Sequence, residues 1–483
     1  MRQFVCYLFP LVMVVTPQLL FAQPDTLWSR TYGGVDVDYA SSVAQASDDG
    51  YLVLGTTNSY GAGKEDVWLI RTDSDGETLW ARTYGGTRSD NAYSVSRTSD
   101  GGYIVVGTTN SWDPSGYDIW LIRTDSQGDA FWARTYGGSD YDIGRSVLQT
   151  SDSGFIVAGY AYTKSTGYDI YLVRTNANGD TLWTRTLGGP EADYAYSLAE
   201  APYGSFIVLG NTVSFGAGAK DVWLIKVDSN GNPLWVRTYG GSKDDVGRSV
   251  VQTSGGGFIV AGYTLSYGAG SSDVWLIRID SNGDTLWTRT YGGSDNDEGH
   301  SVVETADGGY IIAGETKRFL TQVDVYLIGV DSVGDTLWTR AYGGAQGDEG
   351  HSIIETSDGG YIVAGETFSF GAGSGDVYLL KLGSKVGVDE NSQISVSKAW
   401  RNRVWPNPTA GTCWISYGSR TSGVVKIALY DLTGRVIEEV YEGYQGSGEH
   451  RIKVDAHSLP SGIYFLRLET SDGTSSLRMA TMR

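Results

Sequence analysis

The sequence predicts an all-β protein: a seven-bladed β-propeller of four-stranded blades, followed by a small C-terminal β-sandwich. Three observations carry this expectation. One unit recurs seven times, anchored by Trp28, Trp80, Trp132, Trp183, Trp235, Trp287 and Trp338 at spacings of 51 or 52 residues. Each unit holds four strand signals and no helical period. The array is also offset at its ends, beginning with a lone fourth strand and finishing with a unit that lacks one, so pairing the two would close a ring and remove both exposed sheet edges.

The chain opens with a segment that reads as a cleavable signal peptide over residues 1–22. Arg2 precedes a mostly apolar run from Phe4 to Phe21, and Ala22 offers a small residue at the cut. Pro10, Thr16, Pro17 and Gln18 argue against a membrane anchor. Cys6 would leave with the signal and lies too early for a lipoprotein cysteine. Cys413 then has no partner for an internal disulfide, so stability must come from packed core. No later stretch is long and apolar enough to span a bilayer.

Residues 23–383 hold the repeats. Each opens with a version of Trp-x-Arg-Thr-Tyr-Gly-Gly, such as Trp80 to Gly86, and continues with Asp-x-(Ala or Gly)-x-Ser, such as Asp142 to Ser146. A strand like Tyr103 to Gly107 follows, then one like Asp273 to Ile277. With the strands of a unit called a to d, the second repeat is expected to place them near Ser94–Thr98, Gly102–Thr109, Asp118–Asp125 and Asp129–Tyr136. The c–d turn ends in Gly128, which supplies the positive φ of a short hairpin. Strands such as Asp118 to Ile122 lack polar alternation, as expected where both faces are covered.

The repeat resembles propeller repeats found in exported bacterial proteins of mostly unknown activity. Its c–d hairpin, Asp73 to Trp80, is similar to the Asp…Gly…Trp docking motif of quinoprotein-type propellers. That resemblance implies a way of locking blade to blade and no quinone cofactor, since the spacing is shorter and no adjacent cysteine pair exists.

A polar linker over 384–400 precedes a different pattern in 401–483. Trp405-Pro406-Asn407-Pro408, Leu429 to Ile437, Gly448-Glu449-His450 and Leu459 to Leu468 follow in order. This succession resembles the C-terminal sorting domain of the type IX secretion system of Bacteroidota and related bacteria. It implies recognition by that machinery, and release or attachment at the outer surface.

With 36 basic and 56 acidic residues the net charge is −20, which disfavours nucleic acid and anionic membranes as partners. No nucleophile elbow, Walker loop, HExxH or Cys–His arrangement is present. Residues common to every repeat read first as structure. The seven Trp-x-Arg arginines are expected to stack on their tryptophans and pair with a carboxylate, for which the Asp before Val-Trp, such as Asp221, is a candidate. A second repeated acid, Asp38, Asp90, Asp142, Asp193, Asp245, Asp297 and Asp348, either rings the channel mouth, where calcium is the conceivable ion, or caps its own loop. Asp73, Asp75 and Glu77 belong to a segment too short for an EF-hand, so a hairpin turn is the better reading. No cofactor is otherwise expected.

Variation between repeats carries more about function. The d–a and b–c loops share one face. There one position reads Ser41, Tyr93, Arg145, Tyr196, Arg248, His300 and His351, and the b–c loops diverge at Trp112 and Arg318. Aromatic, basic and imidazole groups on one face point to a binding surface for glycan or protein, against drift of exposed loops as the alternative. A polysaccharide-degrading enzyme is the competing reading. It requires acids unique to particular repeats that converge on the channel, and Glu298, Glu349 and Glu191 are the candidates. A purely structural envelope protein is the third.

Overall fold

The computed structural model describes residues 24–112, 116–138, 140–318 and 322–384. Toward the C-terminus it describes 403–405, 409, 411–419, 422–430, 435–446, 448–470 and 473–481. The expected signal peptide, and the expected linker beyond Ser384, lie outside the described residues. The chain divides into two compact units, Met1–Val388 and Asp389–Arg483.

The first unit is built from four-stranded antiparallel sheets in the order a–b–c–d, and the described residues hold seven of them. The seventh takes its outer strand from the N-terminal end: Thr26–Tyr32 pairs antiparallel with Asp376–Leu382. Helix is nearly absent, a short 3-10 turn at Pro202–Gly204 being the described exception.

Burial follows strand position. Strands b and c are mostly buried, Tyr51–Thr57 and Asp66–Thr72 along their whole length, whereas strand d alternates exposed and half-buried residues. Each sheet shares a core with the next. Leu52, Leu54, Val67 and Leu69 of the first repeat pack with Val105, Trp120 and Ile122 of the second. Ile362, Ala364, Val377 and Leu379 of the seventh pack with Val53, Trp68 and Ile70 of the first. Each such buried aliphatic contributes about 1.5–3 kcal/mol, so the inter-sheet cores dominate stability.

The c–d hairpin docks one repeat onto the next, as its resemblance implied. Gly76 has φ 79°, and the Asp73 carboxylate accepts hydrogen bonds from the Asp75 and Glu77 amides at 3.0 and 2.8 Å. The turn then lies over the preceding repeat: the Tyr32 hydroxyl donates to the Gly76 carbonyl at 2.6 Å. Arg30 stacks on Trp28 with 5.6 Å to the ring centroid. Its carboxylate partner differs from the expected one. Arg30 pairs with Glu77 at 3.3 Å and Arg237 with Asp284 at 3.4 Å, both acids of the next repeat's c–d turn. Asp221 is instead a loop cap, accepting from the Ala217 and Gly218 amides at 2.9 and 3.0 Å.

Strand a is where the expectation and the structure differ most. In the second repeat it runs Asp90–Arg97 rather than from Ser94. The register slips between Ala92 and Ser94, leaving Tyr93 unpaired in a β-bulge. The same slip occurs in every repeat, as between Gly144 and Ser146 or Gly299 and Ser301. A bulge breaks the two-residue period, which is why the pattern hid the strand's first half. A glycine of strand b makes room for it: a Cβ on Gly107 would lie 2.0 Å from the Asn91 carbonyl oxygen, and one on Gly262 1.9 Å from that of Val246.

The C-terminal unit has two sheets. One joins Arg403–Trp405, Thr412–Ser419 and Gly448–Asp455; the other joins Val436–Gln445, Gly423–Tyr430, Gly462–Thr470 and Gly473–Thr481. Both feed one core containing Ile415, Tyr417, Ile427, Leu429, Leu466 and Met479. Cys413 is buried there with its Sγ 3.3 Å from the Met479 sulfur, and burial pushes its thiol up to about 11. Among the described residues no helix is long and apolar enough to cross a membrane.

Candidate functional site

The bulge turns seven side chains, one per repeat, into a single cavity of about 530 Å³. Ser41, Tyr93, Arg145, Tyr196, Arg248, His300 and His351 all line it, joined by Tyr39, Glu298, Glu315 and Glu349. Of the eight residues expected on the binding face, six therefore converge. Trp112 does not line the cavity. It is 57% exposed on its b–c loop and packs on Trp120 at 4.8 Å between ring centroids. Arg318 ends the strand Tyr310–Arg318, and its side chain lies outside the described residues.

The cavity has two chemically distinct walls. One, from repeats 2 to 5, alternates aromatic and guanidinium groups. Arg145 lies 4.1 Å from the Tyr93 ring centroid and 5.7 Å from that of Tyr196, and Arg248 lies 5.2 Å from Tyr196. Arg145 donates to the Tyr160 hydroxyl at 3.0 Å. The Nε atoms of both arginines are buried without a hydrogen-bond partner. Behind them, Tyr160, Tyr168 and Tyr194 form an aromatic cluster with centroids 4.9 to 5.6 Å apart.

The other wall, from repeats 6 and 7, is acid and imidazole. Glu298 pairs across strands with Glu315, and Glu349 with Glu366. The His300 and His351 rings stack at 5.4 Å with an interplanar angle of 16°, and His300 Nδ1 lies 3.2 Å from the Gly350 carbonyl oxygen. Burial, with Glu349 and Glu298 beside it, pushes the Glu315 carboxyl up to about 8. Burial and then Glu349 push Glu366 to about 7, and burial raises Glu298 as well. Burial drives His300 down to about 3, helped by His351 and Arg248, and lowers His351. At neutral pH the two imidazoles are uncharged and at least one glutamate keeps its proton.

Glu315 and Glu366 were not singled out in the sequence because they sit in strand b, which reads as buried core. One signal was available: both repeats carry Ala-Gly-Glu-Thr where the others place Thr, Tyr or Asn after the glycine. That glycine in mid-strand is also the mark of the bulge. Glu191 takes no part; it lies in the d–a loop, where its amide donates to the Ser214 hydroxyl of the neighbouring b–c loop at 3.0 Å.

The seven repeated aspartates are loop caps, which corrects the picture of a carboxylate ring at the channel mouth. Each is at most 4% exposed. Each accepts from the amide of the glycine four residues earlier, from Asp38 and Gly34 at 2.8 Å to Asp348 and Gly344 at 2.8 Å. Several also take a serine hydroxyl, as Asp245 does from Ser266 at 2.7 Å. Asp142 and Asp193 are capped by Gly138 and Gly189, and Asp90 and Asp297 by Gly86 and Gly293. None of the seven lines the axial cavity, because a tight loop uses the carboxylate for its own amides.

Comparison with known proteins bears on both units. The secretion system C-terminal sorting domain matches residues 403–480. A β-propeller model described as a domain of unknown function (DUF5122) matches residues 155–181. The regulatory protein FlaEY of Caulobacter vibrioides is 26% identical over 323 residues, covering 53% of this chain and 33% of that protein. The chain thus spans about a third of that relative's length. Among solved structures, the Neurospora crassa Pan2 WD40 domain is 11% identical with a TM-score of 0.46, covering 72% of this chain and 90% of that one. A puromycin hydrolase is 11% identical with a TM-score of 0.47, covering 79% and 59%. This chain is an exported protein of propeller-like, four-stranded β-repeats that carries a type IX secretion sorting domain and through it reaches the cell surface or the extracellular space.

Proposed function

We propose that the mature chain is a seven-bladed recognition module that seats the terminal sugar of a glycan in its axial cavity. The signal peptide is removed after Ala22, the repeat unit closes through Thr26–Tyr32 as its last outer strand, and the C-terminal unit is a β-sandwich read by the secretion machinery. Closure is supported by the shared core of the first and last repeats.

One observation carries the ligand reading. The docking turns and loop caps are nearly uniform around the ring, yet the seven bulge positions that line one cavity differ. A sugar suits these walls: its C–H faces stack on Tyr93 and Tyr196, and its hydroxyls take hydrogen bonds from Arg145 and Arg248 and give them to the glutamates. Incubating the mature chain with a polysaccharide and glycan panel, while assaying for soluble products, tests this. Binding without products supports recognition; binding to none of the panel overturns it.

A second reading, hydrolysis, is favoured by the four glutamates of repeats 6 and 7, because Glu315 holds a proton near neutral pH beside the Glu349 carboxyl. That pair shares a hydrogen bond, closer than the separation of about 5 Å or more between the two carboxyls of glycoside hydrolases. Recognition is therefore preferred, and released products in the same assay would reverse the order.

A further inference from the structure

We propose that Glu349, His351 and Glu366 form a binding site for a divalent first-row transition cation, of the zinc or manganese class, in the wall of the axial cavity. The inference goes beyond glycan recognition and does not depend on it.

The local geometry follows from strand register. His351 is the bulged residue two positions after Glu349, and the bulge turns its imidazole toward the Glu349 carboxylate. Glu366 is the cross-strand partner of Glu349, which brings its carboxylate to the same place. The three donor atoms lie within 4.8 Å of one another. His351 Nε2 is 3.9 Å from Glu349 Oε2 and 4.0 Å from Glu366 Oε1. Donors bound to one such ion at about 2.0–2.2 Å stand roughly 3–4 Å apart, so the set needs only a slight closure. Two carboxylates with one imidazole suit manganese, iron or zinc better than calcium, which takes oxygen ligands. Glu349 and His351 also line the cavity.

Two further observations point the same way. Repeat 6 carries the same triad, Glu298, His300 and Glu315, whereas the equivalent positions of the third repeat are Ile143, Arg145 and Tyr160. Only four histidines occur in the chain, and two of them stack against each other here. Charge is also unbalanced. Four glutamates, at least one of them protonated at neutral pH, crowd this wall, and Arg248 is the cation whose charge reaches Glu298 and Glu315. A divalent cation would supply the missing positive charge, with Glu315 hydrogen-bonded to Glu349 from outside the triad.

The test uses the full chain, stripped with chelator and dialysed against Zn²⁺ or Mn²⁺ alone, with bound metal measured directly. The expected result is one equivalent bound to the wild type, with affinity at least about tenfold weaker in both His351→Ser and Glu366→Gln. Serine is chosen because the first repeat already carries it, as Ser41. His457→Ala, in the C-terminal unit, should bind as the wild type does, and melting curves of the metal-free proteins establish that each variant is folded. No bound metal at micromolar concentration overturns the proposal, as does binding that His351→Ser and Glu366→Gln leave unchanged. A preference for Ca²⁺ that ignores His351 also overturns it. Sugar binding is absent from every arm, so failure here is separate from failure of the glycan reading.

Discussion

Two rings of side chains sit three residues apart in every repeat and have opposite characters. The first is Asp38 and its six equivalents, all aspartate, all buried, all bonded to a glycine amide of their own loop. The second is Ser41 and its six equivalents, which include tyrosine, arginine and histidine and open onto one cavity. Identity around the ring goes with a bond the fold requires at each repeat. Difference around the ring goes with a position that the fold leaves free and the cavity uses. A repeat protein thus separates scaffold from site by comparison with itself.

The glycine of strand b links the two rings, so breaking it should have the largest effect. Gly262→Ala puts a Cβ about 1.9 Å from the Val246 carbonyl oxygen, and the bulge must shift. A loss above about 3 kcal/mol is expected in a urea titration, with ligand binding lost as well. Asp245→Ala should come next. It strips acceptors from the Gly241 amide and from the Thr264 and Ser266 hydroxyls, for a loss of about 3 kcal/mol. Protein that remains folded should bind its ligand normally, which separates the two rings.

A smaller effect, visible only against pH, belongs to the second ring. Glu315 ordinarily ionises near 4.5 and here holds its proton to about 8. Folding favours proton uptake across that window, so stability falls as pH rises through it. His300 behaves oppositely: neutral in the fold down to about 3 instead of 6.5, it weakens the fold as pH falls below 6.5. The two slopes oppose between pH 4.5 and 6.5, leaving the glutamates alone above that. The melting temperature of the wild type should therefore drop between pH 6.5 and 8, and Glu315→Gln should remove most of the drop. A flat wild-type profile in that range would contradict the burial of these carboxyls. Glu77→Ala, which removes an exposed partner of Arg30, should change stability by less than about 1 kcal/mol and leave binding untouched.

Much of the scaffold was legible in the sequence. The tryptophan spacing marked the units, the turn glycines marked the hairpins, and the orphan fourth strand foretold its pairing with Asp376–Leu382. The variable position also stood out by residue type. What stayed hidden was its geometry: the bulge breaks alternation at Ala92-Tyr93, so strand a seemed to begin at Ser94 and Tyr93 to lie in a loop. The arginine partners were misassigned because the Asp before Val-Trp, such as Asp221, serves its own loop, while the acids of the c–d turn read only as hairpin residues. Glu315 and Glu366 were obscured by lying in an otherwise apolar strand.

The most direct test of the account is the affinity of the mature chain for whichever glycan it retains, measured beside a variant in which Tyr93, Arg145, Tyr196 and Arg248 are all replaced by serine, as the first repeat has at Ser41. A fall of about a hundredfold or more, with the variant still folded by its melting curve, is the predicted result. Unchanged affinity in a folded variant would contradict the assignment of recognition to the axial cavity and move it to the exposed loops around Trp112.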